Sequence, residues 1–183
     1  MTSRHFRRLC SCASFLTCMA AAGWALAENS FGISSPAFAQ GKPIPAPYAF
    51  AEKNISPELR VQNVPANARS LVLIVDDPDA PAGLWTHWLV WNLPANTTSI
   101  PEGKLPAEAR QGKNSSGHVR YDGPAPPPGT GIHRYFFRLY ALDTILSLPP
   151  GADRAALLAA MNGHVVGKGE TFGLYPYGPA LPE

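Results

Sequence analysis

Cysteine and charge are both scarce in this sequence. The only cysteines are Cys10, Cys12 and Cys18. Beyond them no disulfide, thiolate metal site or cysteine nucleophile can form. Charged residues make up 15% of the chain, against ~25% in an ordinary globular protein, and the formal net charge is +2. No run of like charge exceeds two residues, so a basic face for nucleic acid is excluded. There is no Gly-X-Y period, no internal repeat and no G-x-S-x-G elbow. What abounds is proline, 20 residues, with 16 glycines, in a chain of 183. Proline breaks helix interiors and central strands, so an all-helical bundle is excluded too. The length suits one domain.

The N-terminus reads as a leader. Arg4, Arg7 and Arg8 precede an uncharged stretch from Leu9 to Ala27, which ends in the small-x-small pattern Ala25-Leu26-Ala27. That is the layout of a secretory signal peptide. We therefore expect residues 1–27 to be removed and residues 28–183 to form a single domain, periplasmic or secreted. A retained anchor is the alternative, because the uncharged stretch approaches the ~20 residues that span a bilayer. Cleavage removes three of the 15 basic residues, none of the 13 acids and every cysteine. The mature chain must then stand on its hydrophobic core, without membrane insertion.

Periodicity points to strands. Leu71 to Val75 is a continuous apolar run suited to a strand buried on both faces. Trp85 to Leu93 is a second, and Arg134 to Ala141 a third. A last strand is expected from His164 to Val166, with another extended segment at Phe172 to Tyr175. Residues 28–68, punctuated by Pro36, Pro43, Pro45, Pro47, Pro57 and Pro65, read as short strands and turns. Asp153 to Met161 is the one good helix, with Asp153 as N-cap and Asn162-Gly163 as stop. Residues 94–131 carry no strong periodic signal, and so long a loop is usually functional or disordered. The pattern predicts a mainly β protein: an antiparallel β-sandwich with a large central sheet, a smaller second sheet and one or two short helices.

The polar residues that matter sit at strand ends. Asp77 and Asp79 follow the first strong strand, His87 opens the second, and His133 and Tyr135 open the third. Neighbouring strands would bring them to one sheet edge. A carboxylate accepting one imidazole N–H fixes the tautomer and presents the other nitrogen to a ligand. Each residue alone has a plainer reading, as core or turn. Ser115 or Ser116 with a histidine and Asp77 could imitate a hydrolase triad. His87, His133 and Asp77 are also plausible metal ligands, although they lack helix-borne spacing.

Taken jointly, Asp77-Pro78-Asp79-Ala80-Pro81 (after Asp76), HWLVWNLP from His87 and GPAPPPGTGIHRYFFRLYALD from Gly123 resemble the phosphatidylethanolamine-binding protein family, its bacterial branch in particular. The likeness extends to FGISSPAFAQGKPIPAPYAFAEKNISPEL and LLAAMNGHVVGKGETFGLY, about residues 31–175. The resemblance implies a small anion pocket at one end of the main sheet. It would be lined by Asp77 and Pro78, with Asp79 bracing the loop. Trp85 and His87 would form a second wall, and Gly123, Ala125, Pro126 and Pro127 the closing loop. His133 and Tyr135 would complete it, with Arg134 on the opposite face. The implied function is non-catalytic binding of a phosphorylated or carboxylated head group, such as that of a phospholipid, with no cofactor and no metal. Inhibition or regulation of a protein partner, a protease or a kinase pathway, is the second reading. The chain departs from the family pattern at Phe50 and Ala125, where bacterial members often carry cysteine, at Arg120, where glycine is common, and at Ser115-Ser116. A second small-x-small triplet, Ala37-Phe38-Ala39, falls where the family has its first strand. Near the pocket we expect a cis bond at Asp77-Pro78 or among Pro126 to Pro128, since a tight anion loop needs a chain reversal.

Overall fold

The computed structural model describes residues 30–178, so the leader and the Ala27 cut lie outside them. Among these residues, eight antiparallel strands form two sheets. β1 (Gly32–Ser34), β2 (Leu59–Gln62) and β5 (Ser99–Ile100) make a three-stranded sheet in the order β1-β2-β5. The five-stranded sheet has the order β6-β4-β3-β7-β8, built from β3 (Ser70–Asp77), β4 (Trp85–Pro94), β6 (Arg110–Gln111), β7 (Ile132–Leu142) and β8 (Val165–Pro176). The expected sandwich of a large and a small sheet is what forms.

Alternation along β3 explains its unbroken apolar run. Leu71, Leu73 and Val75 enter the core shared with the small sheet, where they meet Trp88, Phe137 and Leu139. Val72 and Ile74 enter a second core with Leu89, Trp91, Leu157 and Met161. Both faces of the central strand are thus covered, as its sequence requires. The second cover is helix α1 (Arg154–Met161), capped by Asp153, whose side chain accepts from the Ala156 N–H at 2.9 Å. Leu157 and Met161, one turn apart, bury its apolar stripe.

Three sequence expectations are revised. The last two extended segments are one strand, β8, paired with β7 from Ile132↔Pro176 to Leu142↔Val165; Gly167, Gly169 and Gly173 hid its continuity. Ala37-Phe38-Ala39 lies after β1 rather than within the first strand. Phe38 is nonetheless buried, its ring centroid 5.6 Å from that of Phe137. No peptide bond among the described residues is cis. The Asp77 loop reverses because Asp77 Oδ1 accepts from the Asp79 N–H at 2.8 Å. The proline loop turns through Gly129 and Gly131, both at positive φ.

Candidate functional site

A cavity of about 290 Å³ opens at the end of the large sheet where β3 stops and β4 and β7 begin. Its position follows from the loops that join these strands. Ala80, Pro81 and Ala82 form one wall, and residues of the 116–127 segment form the other.

β4 carries the device that aims His87. Asp77 pairs with Trp85 and Asp76 with Thr86, but Val75 pairs with Trp88. His87 is therefore the extra residue of a β-bulge, which lets His87 and the core residue Trp88 leave the same face of the strand. The loop beside β4 locks the bulge. Thr86 donates its backbone N–H to Ser115 Oγ at 2.9 Å and accepts from the Ser115 N–H. The Asp122 N–H bonds to the His87 carbonyl at 3.1 Å, and His87 Nδ1 lies 2.8 Å from the Asp122 carbonyl. A carbonyl only accepts, so Nδ1 carries the proton. Nε2 is left on the cavity wall with no partner among the described residues. His87 is 6% exposed, and burial holds its pKa below the usual histidine value against the pull of nearby Asp122 and Asp77. Near neutral pH it is uncharged.

Asp77 stands beside it with both oxygens in use. Oδ1 takes the Asp79 N–H, and Oδ2 takes His133 Nδ1–H at 2.7 Å. His133 Nε2 meets Thr130 Oγ1 at 2.9 Å, and the threonine hydroxyl also reaches the Pro127 carbonyl at 2.7 Å. Both ring nitrogens of His133 are therefore engaged. Its ring lies behind the wall, 1% exposed, and ties the Asp77 loop to the proline loop. Tyr135 is packed edge-on to His87, with ring centroids 5.1 Å apart. Burial and the Asp77 charge raise its pKa, and its buried hydroxyl, close to the Ala125 backbone, completes no hydrogen bond of good geometry.

Among the residues read from the sequence, Asp77, Trp85, His87, Gly123, Ala125 and Pro127 line the cavity. Pro78, Asp79, Pro126, His133 and Tyr135 stand outside the lining. Asp79 braces the loop. It accepts the Arg134 backbone N–H at 2.9 Å and forms a two-pronged pair with the guanidinium, which holds its carboxyl below the usual range. Arg134 points away from the cavity face, as alternation demands. Gly123 cannot bear a side chain, because a Cβ would collide with the Tyr48 carbonyl oxygen.

Sequence reading missed part of the wall. Ala80, Pro81 and Ala82 are apolar lining. Phe50 and Ser116, noted only as departures from the family pattern, are lining as well. So is Asp122. Burial tends to raise its carboxyl, but hydrogen bonds from His118, Asn114 and Arg120 outweigh this and leave it below the usual range. The signal for Asp122 was its place directly before Gly123. The cavity is apolar at its sides, and among the described residues His87 Nε2, the Ser116 hydroxyl and the Trp85 indole N–H are its polar side-chain groups without a hydrogen-bond partner. No set of three His, Asp or Glu side chains among the described residues is arranged to hold a metal ion.

Comparison with known proteins agrees with the fold. Residues 34–176 match the sequence profile described as phosphatidylethanolamine-binding protein. A UPF0098 protein of Methanothermobacter thermautotrophicus is 51% identical over 140 residues, 74% of this chain and 91% of that relative. A phosphatidylethanolamine-binding protein homologue of Chlamydia trachomatis superposes with a TM-score of 0.76 at 43% identity, covering 80% of this chain and 97% of that one. YbcL of E. coli, described as a member of the same family, gives 0.74 at 31%, covering 80% and 98%.

Proposed function

The chain belongs to the phosphatidylethanolamine-binding protein family, and from that premise we propose that it is an exported, non-catalytic binding protein whose cavity takes a small phosphorylated or carboxylated head group. The observation that carries this reading is the unpartnered Nε2 of His87 on a wall that is otherwise mostly apolar. A neutral Nε2 offers a lone pair, which repels an oxyanion. Protonated, it offers a charge-assisted hydrogen bond, worth about 1.5–3 kcal/mol. Binding of an anion therefore draws one proton onto His87, and affinity rises as pH falls. Asp77 and Asp122 do not oppose the anion fully, since their oxygens are occupied by His133, Asp79, His118, Asn114 and Arg120. The apolar sides formed by Phe50, Trp85 and Pro81 suit the stem of the head group.

Nothing in this arrangement builds a serine nucleophile. Ser115 Oγ is bound to the Thr86 N–H, and no hydrogen bond joins Ser115 or Ser116 to a histidine among the described residues. The test is an NMR titration of the purified protein with O-phosphoethanolamine, read at the Trp85 indole and at His87. Saturable shifts at both support the reading. Unmoved signals at both refute it.

Export rests on the leader. The mature N-terminus is expected at Glu28. Sequencing that begins at Gln40 would contradict this, and the fold argues against that cut. It would remove β1 and the buried Ile33 and Phe38, each worth about 1.5–3 kcal/mol of burial.

A further inference from the structure

A second cavity, of about 260 Å³, lies across the 120–123 segment from the first. Its floor is aromatic. Trp88 and Tyr121 meet edge-to-face with centroids 5.5 Å apart, and both are buried. The Tyr121 hydroxyl is spent on the Tyr48 carbonyl at 3.1 Å, so only its ring contributes.

The polar side chains around that floor each have a hydrogen-bond donor to spare. Gln111 receives the Trp88 indole N–H at 2.7 Å. Indole can only donate, so the amide oxygen faces the indole and the NH2 is left over. Asn54 receives the Gly123 backbone N–H at 2.7 Å on its Oδ1. By the same logic its NH2 is left over as well. Ser56 is 5% exposed, lines the cavity, and its hydroxyl makes no hydrogen bond among the described residues. Lys104 makes no ion pair there. Arg120 uses only Nε, on Asp122 Oδ1 at 3.1 Å, which leaves its two terminal nitrogens. No acidic side chain lines this cavity.

Two amide NH2 groups, one hydroxyl and two cations, with no lining carboxylate, are the complement of an oxyanion. We propose that this cavity is a second binding site, for a carboxylate or phosphate group of a small molecule, held by Lys104, Arg120, Gln111, Asn54 and Ser56. The site stands independently of the cavity beside Asp77, and the two have separate reporters: Trp88 for this one, Trp85 for the other.

The test is an NMR titration of the purified protein with inorganic phosphate, against sodium chloride at matched ionic strength. The expected result is saturable movement of the Trp88 indole N–H and of the Gln111 and Asn54 side-chain amides. Lys104 is exposed and bonds to no other side chain, so Lys104→Glu should fold normally. It should weaken that response at least tenfold and leave the response at Trp85 in place. Arg120→Gln should weaken it similarly. Signals that stay still, that move equally with sodium chloride, or that respond identically in Lys104→Glu would overturn the proposal. Failure at Trp85 alone would count against the first cavity and not this one.

Discussion

Asp76 and Asp77 are adjacent at the end of β3, and their side chains leave the sheet on opposite faces. Asp76, fully buried, accepts from Thr86 Oγ1 at 2.8 Å, Arg138 at 3.1 Å and Arg154 at 3.0 Å. It ties β4, β7 and helix α1 to the central strand, and two cations outweigh its charge. Asp77 meets a backbone N–H and one imidazole, beside a histidine with a spare nitrogen. The first cluster is closed; the second is open to a ligand. Strand alternation alone assigns one acid to holding the fold and its neighbour to the cavity.

The largest effect should come from the closed side. Asp76→Ala leaves Arg138 and Arg154 facing each other without their shared carboxylate. Removing one partner of a buried pair costs 3–5 kcal/mol, and we expect about 3, the low end, because the two arginines are 20% and 33% exposed and reach water. Urea unfolding reads this loss, while O-phosphoethanolamine affinity should stay within about twofold, under 0.5 kcal/mol. Loss of binding at retained stability would break the division between the two faces.

His87→Ala should do the reverse. Affinity should drop by roughly ten- to a hundredfold, the worth of one charge-assisted bond, with a smaller change in stability. Calorimetry on the two variants side by side compares the faces directly. His118→Ala, on an exposed ring whose Nδ1 serves Asp122, should weaken binding far less.

Asp77→Asn sits between these. Its amide oxygen can still accept from His133 or from the Asp79 N–H, so the fold should survive with a loss of about 1 kcal/mol. The measurable change should be in the pH dependence of binding, since a charge that favours imidazolium at His87 is gone.

The smallest effect concerns the free protein. The folded-state pKa of His87 is depressed below its unfolded value of about 6.5. Between those two values the unfolded chain binds the proton that the folded chain refuses. The neutral ring's contribution is therefore complete above pH ~6.5 and declines as pH falls below it. The thermal midpoint of the wild type should fall more steeply than that of His87→Gln on acidification from ~6.5. Added O-phosphoethanolamine should reduce the difference.

Much of this was legible in the sequence. The β-branched run at 71–75 and the alternation at 134–141 announced central strands, and DPDAP with the glycine-framed HRY segment announced their shared edge. What stayed hidden was geometry without periodicity. The bulge at His87 leaves no mark in WTHWLVWNL, yet it turns that ring toward the cavity, where Nε2 has no partner among the described residues. Thr130, which engages the other nitrogen of His133, looked like ordinary turn chemistry. The 94–131 stretch read as a loop because its order comes from side chains. Asn114 alone accepts from the Ser116 and His118 N–H groups and donates to Asp122. The spare donors of the second cavity were invisible because they depend on which amide oxygens are already spent.

The central claim is that an anion in the first cavity is held through a proton taken up by His87. Its most direct test is the ring 15N signals of His87 at pH 7, recorded free and then saturated with O-phosphoethanolamine. The free protein should show a neutral ring protonated at Nδ1, and the saturated protein an imidazolium with a proton on both nitrogens. A ring that stays neutral and unshifted while the Trp85 indole reports a filled cavity would contradict the account.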